Sequence, residues 1–199
     1  MRNLFFVLTA LVAFTTVGTS IGFAQDYNEI GVYTDAEMSN FNLVIGVYEL
    51  TDVFVVLSLP FDNGADVTAI GGVEFRFAMD GGLDMSTTWA NPNYIDVGSS
   101  ADGHCCGFGT PSPVVDGSVL ICTKTVLVTT PEPSHAFLTP IAAGATIPGH
   151  MAYLNSDNPY VAAIMYPSSG SHDDPVFGFN TIVVATEDVS MDQIKALYR

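Results

Sequence analysis

Seven residues in the middle of the chain constrain its architecture most. In Val73-Glu74-Phe75-Arg76-Phe77-Ala78-Met79, the apolar residues Val73, Phe75, Phe77 and Met79 fall on alternate positions, with Glu74 and Arg76 between them. A period of two puts those four side chains on one face of an extended strand, and no helix can do the same. The turn signals Asp62-Asn63-Gly64-Ala65-Asp66 and Asp80-Gly81-Gly82 bound this region. The sequence predicts a strand here with its core on one side and Glu74 and Arg76 on a solvated side.

The rest of the chain repeats this grammar. Further strands are predicted at Ile30–Thr34, Leu43–Tyr48, Val53–Leu59, Val119–Val128, Ala136–Ile141, Met151–Leu154, Tyr160–Tyr166 and Phe177–Ala185. Val53-Phe54-Val55-Val56-Leu57 is almost continuously apolar, as suits a strand buried on both faces. Val119–Val128 is read as one strand or a pair sharing a bulge, with Cys122 inside. Ser86–Ser100, which holds Trp89, is expected to be an irregular connection, and Gly107–Ser118 has enough Gly and Pro to turn the chain back. Eight to ten short strands at this spacing imply an all-β, two-sheet β-sandwich, with an open barrel second. An outer-membrane barrel fits poorly, because sustained ten-residue alternating segments are missing.

Both ends read differently. Met1-Arg2-Asn3, the apolar run Leu4–Val17 and Gly22-Phe23-Ala24 have the order of a secretory signal with small residues at the cleavage site. Cleavage is expected after Ala24, so 1–24 is a leader, 25–188 the sandwich and 189–199 a tail. The run is shorter than the roughly 20 residues that span a bilayer, so no membrane span is expected after cleavage. In the tail, Ser190 and Gln193 form a capping-box pattern, and Met191, Ile194 and Leu197 make an apolar stripe. A short C-terminal amphipathic helix is predicted there.

Charge excludes whole classes of partner. With 21 Asp and Glu against 5 Lys and Arg, the formal net charge is −16, and removing Arg2 with the leader deepens it. Such a surface repels phosphate backbones and anionic lipid, so nucleic acid is not a partner. Calcium is the one cofactor the residues point to. Hard oxygen ligands gather in turns, with Asp62, Asn63 and Asp66 in one candidate site and Asp80 and Asp84 in another, although no EF-hand loop is present.

Export implies an oxidising compartment, and the three cysteines, Cys105, Cys106 and Cys122, are odd in number. A bond between neighbours Cys105 and Cys106 would close a strained ring. A Cys106–Cys122 disulfide is therefore predicted, with Cys105–Cys122 as the alternative, adding about 3 kcal/mol through the entropy of the unfolded chain. Asp102-Gly103-His104-Cys105-Cys106 lacks the second ligand pair of a zinc site, which leaves His104 a bystander. Beyond the expected leader the sequence offers no Gly-x-Ser-x-Gly elbow, the one match, Gly18-Thr19-Ser20-Ile21-Gly22, lying inside it, and no His-Glu-x-x-His pattern occurs, so an enzyme is not expected. Trp89, Tyr94 and Tyr160 lie in or beside loop-like stretches and are the candidate aromatic contacts for a carbohydrate.

The order of elements also resembles a known family. A strand like Val53–Leu59, the turn Ala69-Ile70-Gly71-Gly72, the alternating Val73–Phe77 and its end at Asp80-Gly81 are similar to the early strands of cohesin-type sandwiches. These share a jelly roll with some carbohydrate-binding modules. Gly117–Val128 fits the same scheme, while the cysteines and the terminal helix depart from it. The ending Met191–Arg199 resembles the tails of uncharacterised secreted bacterial proteins. The resemblance implies a secreted or cell-envelope, non-catalytic interaction module for a carbohydrate or a partner protein. The alternative is a structural subunit of a surface layer or extracellular appendage.

Overall fold

The computed structural model describes residues 27–99, 101–158 and 161–181. The expected leader, the terminal helix and Tyr160 lie outside the described residues. Fourteen strands follow in order: β1 (Glu29–Tyr33), β2 (Asn42–Leu43), β3 (Leu50–Ser58), β4 (Phe61–Asp62), β5 (Ala65–Asp66), β6 (Ala69–Met79), β7 (Gly82–Trp89), β8 (Tyr94–Asp96), β9 (His104–Pro113), β10 (Ser118–Val128), β11 (Ser134–Thr139), β12 (Met151–Asn155), β13 (Ala162–Pro167) and β14 (Phe177–Phe179). The protein is all-β, as the sequence predicts. Among the described residues no helix is long and apolar enough to cross a membrane.

Twelve strands form one ladder in the order β2-β14-β11-β6-β12-β13-β1-β3-β10-β7, with β9 on the other edge of β6 and β8 on β9, while β4 and β5 make a separate hairpin. The ladder folds over on itself. β6 and β7 lie far apart in strand order, yet the rings of Phe75 on β6 and Trp89 on β7 meet edge to face, 6.3 Å apart. β9 and β10 are likewise distant in the ladder, yet their side chains hydrogen-bond. The β7-β10-β3-β1 layer therefore packs on the layer built around β6, β9 and β12, which makes the two-sheet sandwich. At eleven residues, β6 is long enough to pair along one edge with both β12 (through Ile70–Glu74) and β11 (through Arg76–Met79).

The core lies between the layers. Val53, Val55 and Leu57 of β3 and Val126 and Val128 of β10 meet Phe75, Phe77, Tyr153, Leu138 and Phe177 in one cluster. Val56 is also buried but stands outside that cluster, as expected of a strand covered on both faces. β10 carries the anticipated bulge, with its register to β3 shifting between Leu120 and Cys122. The bulge moves the inward positions from Val119 and Ile121 to Cys122, Lys124, Val126 and Val128.

Several expectations need correction. Ser86–Ser100 is not irregular, since β7 runs to Trp89 and β8 follows. The predicted turn-back after Cys106 is instead the rest of β9, whose glycines and prolines occupy a largely exposed strand end. The Leu43–Tyr48 strand is only the two-residue β2. Glu74 is not solvated: it is 4% exposed, and its carboxylate accepts bonds from Thr146 N and Oγ1, both at 2.9 Å, because the segment after β11 crosses that face.

Candidate functional site

The predicted ligand residues do not converge. Asp62 accepts bonds from Asn63 and Asn155 at the β4–β5 hairpin. Asp66 pairs with Phe61 in that hairpin. Asp80 holds the backbone N and ring of His135, whereas Asp84 turns inward to Lys124. Among the described residues no group of three or more His, Cys, Asp or Glu could hold a metal ion. The calcium expectation therefore gains no site: Asp62, Asp80 and Asp84 spend their carboxylates on bonds within the fold.

Trp89 is a core residue. It is 8% exposed and packs between His104 (5.2 Å, edge to face), Tyr94 (5.7 Å) and Phe108 (6.4 Å). Only Tyr94 of that cluster is exposed, so Trp89 does not present a flat sugar platform. The structure links none of the three cysteines, so the expected Cys106–Cys122 bond gains no support from it. Cys106 and Cys122 are both buried on inward positions, and burial pushes each thiol up to about 12. Burial also raises Cys105, with the Glu74 carboxylate adding to it, beside a hollow of about 220 Å³ over β6, β9 and β12.

The most unusual chemistry sits between the layers, where Asp84 and His104 meet in roles other than those the sequence suggests, around a lysine that no motif marks. Lys124 is 0% exposed in the middle of β10. Its ammonium has three N–H donors and meets three acceptors: Asp84 Oδ2 at 2.7 Å, Thr87 Oγ1 at 2.7 Å and His104 Nε2 at 2.8 Å. The Phe77 ring faces it, 5.3 Å from Nζ to centroid. Asp84 and Thr87 come from neighbouring β7, where Thr87 stands directly across from Lys124, and His104 reaches in from β9 of the opposite layer.

A second carboxylate orients His104. Its Nδ1 lies 2.6 Å from Asp96 Oδ2, and Asp96 Oδ1 accepts from the N–H groups of Gly98 and Cys105. That partner fixes the proton on Nδ1 and leaves the Nε2 lone pair for Lys124. Burial first, and the Lys124 charge second, hold His104 below the usual histidine range, so it is neutral at physiological pH. Asp84 Oδ1 is buried without a hydrogen-bond partner. A period-two reading of Cys122-x-Lys124-x-Val126-x-Val128 places Lys124 on the core face, and that was the signal available in the sequence.

The outer face of the β3-β10-β7 layer is different in character. Leu127 of β10 stands opposite Leu50 of β3 on one side and Leu83 of β7 on the other. Leu50 and Leu83 are 60% and 54% exposed, and Met85 and Tyr48 extend the exposed apolar surface. Asp52 lies on the same face, bonded to Thr125 Oγ1 at 2.7 Å.

No family model matches the chain, and no curated protein matches it. Two solved structures are similar. One is a cohesin module from a family 33 glycoside hydrolase of Clostridium perfringens, with a TM-score of 0.48, 8% identity, and coverage of 70% of this chain and 90% of that one. The other is a type I cohesin–dockerin complex from Clostridium thermocellum, with a TM-score of 0.39, 11% identity, and coverage of 76% and 96%.

Proposed function

We propose that the chain works outside the cell as a non-catalytic protein-binding sandwich whose docking surface is the apolar strip Leu50–Leu127–Leu83 with Met85 and Tyr48. The observation that carries this reading is the strip itself: three leucines stand abreast across three strands on a face turned away from the core. Contiguous exposed apolar surface rimmed by polar residues marks interaction sites. The partner's chemistry follows from charge. Among the described residues the cations are Arg76 and Lys124, and Lys124 is enclosed, so the surface around the strip is anionic and suits a partner with a basic rim. Carbohydrate is the weaker ligand class, since Trp89 lies in the core.

A second reading, a structural subunit of a surface assembly, draws on β7. This strand ends the ladder and pairs on one side with β10, so its other edge can template a second copy. A photo-crosslinking residue at Leu83, with a control at exposed Asp157, separates the two. Incubated with the secreted proteins of the producing cells, position 83 is expected to give an adduct with a different protein. That adduct should weaken with salt and disappear in a Met85→Asp chain of unchanged melting temperature. Adducts with a second copy would support the structural subunit, and equal yields from 83 and 157 would overturn the docking surface.

A further inference from the structure

We propose that the sandwich is a self-modifying one: Lys124 and Asp84 condense into an intramolecular amide that ties the edge strand β7 covalently to β10. The two groups are already in contact, with Lys124 Nζ hydrogen-bonded at 2.7 Å to Asp84 Oδ2, the oxygen one bond from the Cγ it attacks. The amine is fully enclosed, and its other two hydrogens are held by Thr87 and His104. That fixes the nitrogen against the carboxyl group and converts a bimolecular condensation into a positioned unimolecular step.

The surroundings hold the pair in an apolar, enclosed setting. Lys124 is packed against Phe77, and Asp84 Oδ1 is buried without a partner, so the carboxylate is only half satisfied. In such a site, proton transfer from the ammonium to Asp84 gives an amine and a carboxylic acid, both uncharged. Nζ then attacks Cγ of Asp84 and a C–N bond forms. His104 Nε2 takes a proton from the attacking nitrogen, and Asp96 on Nδ1 stabilises the imidazolium. The same proton goes to the departing hydroxyl oxygen, the Cγ–O bond breaks, and one water leaves. Atoms and charge balance with no oxidant, reductant or activated co-reactant: an ammonium and a carboxylate become an amide and water. The product is neutral, so the interior no longer holds a buried ion pair, whose desolvation opposes folding. The event is a single turnover on the chain itself and is compatible with a non-catalytic binding role.

Mass spectrometry of the reduced protein tests the proposal. The expected intact mass is one water below that calculated for the linear chain with the same termini. A succinimide at Asp80-Gly81 would lose the same water, so the deciding observation is a branched chymotryptic peptide joining the Asp84 and Lys124 segments. A Lys124→Arg chain should show no such peptide. Wild-type protein that yields only linear peptides for both segments overturns the proposal, and so does a branched peptide that persists in the Lys124→Arg chain. A His104→Gln chain is expected to form the bond at least tenfold more slowly in refolding time courses. Equal rates would overturn the role given to His104.

Discussion

Replacing Trp89 with alanine tests whether the chain's one tryptophan is structural. The indole sits where the two layers meet, in ring contact with Phe75, His104, Phe108 and Tyr94. Truncating so large a buried side chain costs about 3–5 kcal/mol, because the transfer energy is lost and the surrounding strands cannot collapse to fill the space. For a domain of this size, each kcal/mol moves the melting temperature by about 2–4 °C, so Trp89→Ala should melt about 6–20 °C below the wild type. Circular dichroism in urea and on heating reads the loss without needing the indole. Trp89→Phe should recover most of it, since Phe keeps an aromatic ring at the contact. The wild type should show blue-shifted, poorly quenchable fluorescence from its single Trp. If Trp89→Ala costs no more than the ~0.5 kcal/mol typical of surface changes, and acrylamide quenches the native indole freely, the packing argument fails and Trp89 returns as a ligand platform.

Three further outcomes are expected. Asn28 bridges the backbone of Phe61 through Oδ1 (2.6 Å) and Nδ2 (2.9 Å), accepts from the Tyr153 hydroxyl and adopts a left-handed φ of 62°; Asn28→Ala should cost about 2–3 kcal/mol in urea unfolding, because buried groups lose their partners, and a negligible loss would show the clamp to be idle. Burial pushes the Cys106 and Cys122 thiols up to about 12, so iodoacetamide near about pH 8 should spare both in native protein and modify them after denaturation, where a thiol returns to about 8.5; native labelling of Cys122 at the denatured rate would contradict its enclosure. Burial lowers the His104 pKa, so the folded chain binds fewer protons there than the unfolded chain, and the stability from neutral His104 is complete above its ordinary 6.5 and lost as pH falls through the lower folded value. His104→Gln should flatten the stability profile below about pH 6.5, and an unchanged slope would assign the effect elsewhere.

Local patterns in the sequence announced the strands that bury one clean face. Val73–Met79 reads correctly because alternation survives in it, and Val119–Val128 because it is β-rich and apolar, with the β10 bulge falling inside the unbroken apolar run Val119–Cys122. β7 and β9 were missed for an equally physical reason. Gly82–Trp89 carries polar residues on an open edge strand with exposed leucine and methionine, and β9 contains two glycines and two prolines, so neither shows period-two patterning. Glu74 has the pattern of a solvated position because nothing local reveals that Thr146 folds back over it from 72 positions away. The buried cluster was hidden similarly. No local pattern links Asp84, Asp96, His104 and Lys124 to one another, and only the folding-over of the ladder brings β7, β9 and β10 to one point.

The enclosure of Lys124 by that fold-over is the claim on which the buried chemistry rests, and lysine acetylation measures it directly. Native protein is treated with an acetylating ester, quenched and analysed peptide by peptide. In molecules whose Lys124 is still a free amine, the expected result is no acetyl group on it under conditions that fully modify lysine in an unfolded peptide, since Nζ is 0% exposed with all three donors engaged. Acetylation of native Lys124 at the rate of the unfolded peptide would place the side chain in solvent and contradict the sandwich as described.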